Sequence, residues 1–162
     1  MRRLGGALVA GLLAFSIAGP VAAADHPLKF DASSSAVSIG QAAVCPRGGT
    51  ATTYVGRGTH LGLFALHETV CYTAFALPWI DFTVRSTYEA ANGDLLYSHA
   101  SGSFNVDTGQ KVGPGFTFAG GTGRFAHATG GGRSQPVFDS DWNIVGLRQV
   151  GEIAYNASDR AD

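Results

Sequence analysis

Apolar and polar residues alternate most cleanly over residues 80–89. Ile80, Phe82, Val84, Ser86 and Tyr88 fall on one side, and Asp81, Thr83, Arg85, Thr87 and Glu89 on the other. Successive side chains of a strand point to opposite faces, so this period of two predicts a half-buried β-strand. Extended stretches rich in apolar and β-branched residues are also expected at 28–39, 50–55, 61–75, 116–119, 132–137 and 147–155. No stretch holds apolar residues at helical spacing for more than about two turns, so no long helix is expected.

The strand at 80–88 runs into Ala91-Asn92-Gly93-Asp94. Asn-Gly between two extended runs predicts a type I′ hairpin turn, whose two central residues both take positive φ. With Asn92 and Gly93 at the corner, Tyr88 lies opposite Tyr97, Ser86 opposite His99, Val84 opposite Ser101 and Phe82 opposite Ser103. About eight short strands, turn residues between neighbours and no crossover helix predict an all-β, antiparallel, up-and-down eight-stranded barrel. A β-sandwich has the same strand count and is the alternative.

The N-terminus changes the picture of where this domain works. Arg2 and Arg3 precede an apolar and small-residue run from Leu4 to Ala18, followed by Pro20 and then Val21-Ala22-Ala23-Ala24. A basic start, a short apolar centre and a small-residue ending predict a secretory signal peptide over 1–24, cleaved after Ala23 or Ala24. A membrane anchor is the competing reading, but the run falls short of the ~20 residues a spanning helix needs. The expectation is a secreted or periplasmic protein with one β-barrel domain over 25–162 and no membrane span after cleavage. Of eleven Lys/Arg, two are Arg2 and Arg3, so nine remain against twelve Asp/Glu. No basic stripe exists to meet a phosphate backbone, and nucleic acid is not an expected partner.

Export also bears on Cys45 and Cys71, the two cysteines of the chain. In an oxidising compartment the pair is expected to form one disulfide, with two unlinked buried thiols as the alternative. They lack C-x-x-C spacing and the histidines are scattered singly, so no metal site is expected.

Residues 119–133, AGGTGRFAHATGGGR, pose a choice between a phosphate cradle and a chain reversal. Gly121, Gly123 and Ala126 fit a loose G-x-G-x-x-G/A, with Asp141 downstream at a suggestive distance. A dinucleotide site also needs a strand before the glycines and a helix after them, within a unit of ~30 residues. Here Gly130-Gly131-Gly132 ends any helix after six residues, and no Gly-Lys-Ser/Thr of a phosphate loop follows. The turn is the better reading, and no cofactor is expected. Gly120, Gly121 and Gly123 permit a tight reversal. Phe125 and Ala128, three apart, let a short helical turn near 124–129 press both onto the barrel end.

The run Gly-Gly-Thr-Gly-Arg-Phe-Ala-His-Ala-Thr-Gly resembles the G-G-T-G-x-F-x-x-A-x-G signature of the allene oxide cyclase-like barrel superfamily, which includes plant dirigent proteins and small secreted bacterial proteins. Gly58-Thr59-His60-Leu61-Gly62-Leu63-Phe64 and Ala90-Ala91-Asn92-Gly93-Asp94 come in the order found in the bacterial members. The resemblance spans most of 28–156. It implies an eight-stranded barrel with a largely apolar central cavity, often as a homo-oligomer. It implies no reaction, because the matched residues are corner and turn residues.

Three functions are compatible with this reading. A binding module would hold a small apolar or aromatic molecule against Phe82, Val84, Tyr88, Tyr97 and His99, unless the barrel interior is packed solid. An isomerase or cyclase would mould a reactive hydrophobic intermediate, with His99, Tyr97 and Glu152 as candidate catalytic groups. An envelope protein would meet another protein through exposed aromatics such as Trp79 and Trp142. Hydrolase and metalloprotease motifs such as G-x-S-x-G and H-E-x-x-H are absent from the sequence.

Overall fold

The computed structural model describes residues 27–113, 115–141 and 143–155. The expected signal peptide, 1–24, and Trp142 lie outside the described residues. The strands are β1 (Leu28–Gln41), β2 (Gly49–Gly58), β3 (Gly62–Ala76), β4 (Trp79–Ala90), β5 (Leu95–Asn105), β6 (Lys111–Val112), β7 (Phe116–Gly121), β8 (Thr129–Phe138) and β9 (Ile144–Ala154), with one 3-10 turn at Gly123–Phe125. The order is β4-β3-β2-β1-β9-β8-β7-β5, and a β4–β5 ladder closes the ring. All pairings are antiparallel. The chain is therefore the expected closed eight-stranded barrel, with β6 as an extra strand outside it on β5. Closure leaves each barrel strand a partner on both sides, which is how such a sheet avoids exposed edges.

The alternation read from 80–89 holds: Phe82, Val84, Ser86 and Tyr88 point inward and are buried. Cross-strand registers stack the interior in rows. Tyr54, Leu66, Tyr88 and Leu96 form one row, and Thr52, Glu68, Ser86 and Ser98 the next. Thr50, Val70, Val84 and Ala100 form a third. Below the first row the interior is filled by Phe30, Leu61, Phe64, Phe118, Phe125 and Ile153. Phe30 meets Phe118 edge-on with ring centroids 5.0 Å apart, and Tyr88 at 6.4 Å, the geometry aromatic pairs prefer. This half of the barrel, the glycine end, is a packed core.

The hairpin at 90–95 departs from the type I′ expectation. The Gly93 N–H donates to the Ala90 carbonyl at 2.8 Å, and the Ala90 N–H to the Asp94 carbonyl at 2.9 Å. Gly93 has φ of 84°, whereas Asn92 does not enter the left-handed region. This is a type I turn closed by a glycine bulge, with three loop residues where two were expected. One added residue shifts the register by one position, so Tyr88 faces Leu96, Ser86 faces Ser98 and Val84 faces Ala100. A one-residue slip turns a strand over, and Tyr97 and His99 consequently stand on the outer face, beside Thr87 and Arg85.

Candidate functional site at the aromatic end of the barrel

The residues around Phe125 form a stopper. A 3-10 turn of three residues follows Thr122, with no longer helix behind it. Backbone donors are engaged within the chain: Gly120 N–H with Ala128 O at 3.0 Å, Thr122 N–H with Leu95 O at 2.8 Å, and Ala126 N–H with Gly123 O at 3.1 Å. A phosphate cradle needs such N–H groups free. Gly120 and Gly123 have φ of 76° and 51°, which glycine adopts without steric cost. Phe125 and Ala128 are both buried, as their spacing predicts.

Arg124 binds the stopper to the other two corners. Its Nη2 donates to the His60 carbonyl at 2.8 Å, and its Nε lies 3.6 Å from Asp94 Oδ2. His60, at φ of 66°, places Nδ1 2.9 Å from the Tyr155 hydroxyl and Nε2 3.1 Å from the Lys29 carbonyl. The turns at 58–62, 91–94 and 120–128 thus meet at one end of the barrel and seal it.

The opposite end is built differently. The row Thr52–Glu68–Ser86–Ser98 floors it with polar groups, and Gln149 joins from β9, its Nε2 donating to the buried Tyr88 hydroxyl at 2.8 Å. Above the floor stand Val70 and Val84, then Tyr72 opposite Phe82, and at the rim Ile80, Phe104 and Lys111. Phe82 and Val84 are buried, whereas Tyr72 and Phe104 are only partly buried. Phe104 lies 6.3 Å from Phe82 and 6.4 Å from Tyr72, ring to ring. The Lys111 Nζ sits 5.3 Å from the Phe82 centroid. The disulfide Cys45–Cys71 pins the 42–48 loop onto β3 at this end.

The wall here is incomplete. The β7–β8 ladder has two residue pairs, Phe116 with Gly132 and Thr117 with Gly131, and does not follow β8 as far as Phe138. On β5, Ser103 and Phe104 pair with β6 instead of β7.

Glu68 dominates the electrostatics. The Ser86 hydroxyl donates to its Oε2 at 3.4 Å. Burial pushes the carboxyl above the usual carboxylate range, against the opposing pull of Lys111 and Ser86. Burial likewise holds Lys111 below the ordinary lysine value, partly offset by Glu68. The Tyr54 hydroxyl is pushed up to about 12, first by burial and then by the Glu68 charge, with its bond to Thr52 opposing both. Tyr88 is raised too, again chiefly by burial.

The sequence-predicted residues divide between the two faces. Phe82 and Val84 line the aromatic end, and Tyr88 lies inside but in the packed half. Tyr97 and His99 are on the outer surface of β5, and Glu152 is exposed on β9, so the three candidate catalytic groups do not converge on the interior. Trp79 is half-buried. Glu68 and Lys111 escaped the sequence reading. The signal for Glu68 was present: Phe64, Leu66, Glu68, Val70 and Tyr72 share one strand face, which puts a carboxylate on an apolar side. Lys111 carried no such signal, because a two-residue strand has no readable period.

Among the described residues no group of three or more metal-ligating side chains occurs, and no helix is long and apolar enough to cross a membrane. Fold and site together define a closed antiparallel barrel, sealed at one end and carrying a carboxylate beneath aromatic rings at the other. Compared with known proteins, the chain matches no family model, no curated protein and no solved structure.

Proposed function

We propose that this barrel is a binding module for a small apolar or aromatic molecule, taken up at its aromatic end and acting outside the cytoplasm. The observation that carries the reading is the contrast between the two halves. The glycine end is filled by fully buried side chains, whereas Tyr72 and Phe104, at inward positions, are only partly buried. Concave apolar walls with a few polar groups are what small-molecule sites are made of. Phe82 and Val84 contribute to the wall, and Tyr88 supports the floor from below. The disulfide suits an oxidising compartment, which accords with the signal peptide expected at 1–24. We read the three turn motifs as kinship with the allene oxide cyclase-like barrels, and a closed eight-stranded barrel is the fold that this kinship requires.

Native mass spectrometry of protein purified from periplasm or medium tests the reading, together with titration of the uncharged fluorophore N-phenylnaphthylamine. A copurifying small molecule, or probe binding that Phe82→Ala weakens, supports it. An empty barrel that leaves the probe unbound refutes it. The interior carboxyl of Glu68 favours a second reading, an isomerase or cyclase acting on a hydrophobic intermediate. That reading requires turnover of an added epoxide or polyene that Glu68→Gln abolishes and His99→Ala leaves intact.

A further inference from the structure

We propose that the aromatic end recognises an organic ammonium, an amine on an aromatic or alkyl body, whose head lies at the Phe82 ring, where Lys111 now places its own ammonium, on the side of the barrel that holds the Glu68 carboxylate. The inference rests on the binding-module reading and narrows its ligand class. Four observations lead to it. The cross-strand row sets Glu68 inside the barrel with Ser86 as its neighbour, and Ser86 gives it a single hydrogen bond of 3.4 Å. An ionised carboxylate can accept about four such bonds, so this one keeps acceptor capacity that the protein does not fill. Phe82, Phe104 and Tyr72 are linked ring to ring above it, and aromatic faces attract cations that sit within about 6 Å of the centroid. Lys111 shows that an ammonium already settles there, 5.3 Å from the Phe82 centroid, and the Glu68 charge acts on it favourably.

Lys111 is also a displaceable occupant. It belongs to a two-residue strand outside the closed barrel, tied to β5 at Ser103 and Phe104 alone. A ligand amine that brings its own apolar body gains the surfaces of Tyr72 and Phe104 that Lys111 leaves uncovered. An anionic ligand is disfavoured, because Glu68 lies directly below the site.

The titratable groups facing Glu68 are Tyr54 from β2, Tyr88 from β4 and Lys111 from β6. Both tyrosines are raised above their ordinary 10.0, and Lys111 is lowered by burial with the Glu68 charge opposing. Amine binding therefore follows the ionisation of Glu68, tightening as pH rises from the acid side until that carboxyl has lost its proton.

Isothermal titration calorimetry on the disulfide-intact chain, with three probes sharing one ring, decides the matter. These are phenethylamine, phenethyl alcohol and phenylacetate. The amine is expected to bind about tenfold more tightly than the alcohol, the scale of one desolvated cation–π contact, and phenylacetate more weakly than either. Glu68→Gln should bring the amine down to the level of the alcohol, and Lys111→Met should tighten the amine several-fold. Where Glu68→Gln fails to fold, the pH dependence of amine binding to the unaltered chain gives the same answer. Equal affinity for alcohol and amine, or a Lys111→Met variant that binds the amine more weakly, overturns the ammonium site while the binding module stands. Silence of all three probes toward both the unaltered chain and Lys111→Met overturns both.

Discussion

Replacing Phe125 by alanine tests the claim that the glycine-rich corner is a stopper for the barrel. Phe125 is fully buried. Its ring packs edge-on against Tyr155 at 5.1 Å and under the Arg124 guanidinium at 4.8 Å. Burying a phenylalanine side chain stabilises by about 1.5–3 kcal/mol from transfer alone. The cavity left behind raises the cost of Phe→Ala to about 3–5 kcal/mol. The upper part of that range applies here, because the backbone around the cavity is locked by the 120–128 hydrogen bonds and cannot collapse into it. Domains are stable by roughly 5–15 kcal/mol, so the variant should fold but melt on the order of 15 °C lower. Urea titration followed by far-UV and near-UV circular dichroism measures the loss. Phe125→Leu, which keeps most of the volume, should cost about 1–2 kcal/mol. A loss below about 1 kcal/mol for the alanine variant would show that Phe125 does not carry the closure. Equal losses for leucine and alanine would show that ring contacts, not the cavity, set the cost.

Three further outcomes are expected. Tyr54 is raised from 10.0 to about 12, so its contribution to stability is complete below pH 10 and is lost as pH climbs toward 12, about 2–3 kcal/mol in all. Tyr54→Phe should flatten that alkaline decline in the urea midpoint, and an unchanged decline would refute the assignment. At Gly132, a Cβ would collide with the Val150 carbonyl and the Gly151 Cα of the facing strand. Gly132→Ala should therefore cost about 1–3 kcal/mol or more, whereas Gly93→Asn, at a turn with open space around it, should cost less than 1 kcal/mol; a reversed order in thermal melts would refute the close-approach argument. Reduction of Cys45–Cys71, 26 residues apart, should lower stability by about 3.5 kcal/mol on the chain-entropy model, and a melt indifferent to reductant would contradict it.

Much of this protein is written locally. The alternation at 80–89 places Phe82, Val84, Ser86 and Tyr88 on one face whatever surrounds them, because the pleat alone dictates it. The glycines around Phe125 exclude a helix long enough for a dinucleotide site, and the spacing of Phe125 and Ala128 identifies the two residues that the 3-10 turn buries. The cysteine pairing is similarly legible, since two cysteines in one chain have a single intramolecular partner each. Tyr97 and His99 show where such reasoning stops. Their alternation with Leu96 and Ser98 is plain, but the face that looks inward depends on the loop before them, and Gly93 closes a three-residue bulged turn instead of a two-residue one.

Local sequence specifies most of the strands, their two-faced character and most corners, all of which follow from φ preferences and a period of two. Only the closed fold settles which face is interior on β5, the meeting of Glu68 with Ser86, and the division of the barrel into a packed half and an aromatic half. Those depend on register around a closed ring. Each strand's phase there is set by turn lengths and by the requirement that the last strand pair with the first, and no single segment carries that information.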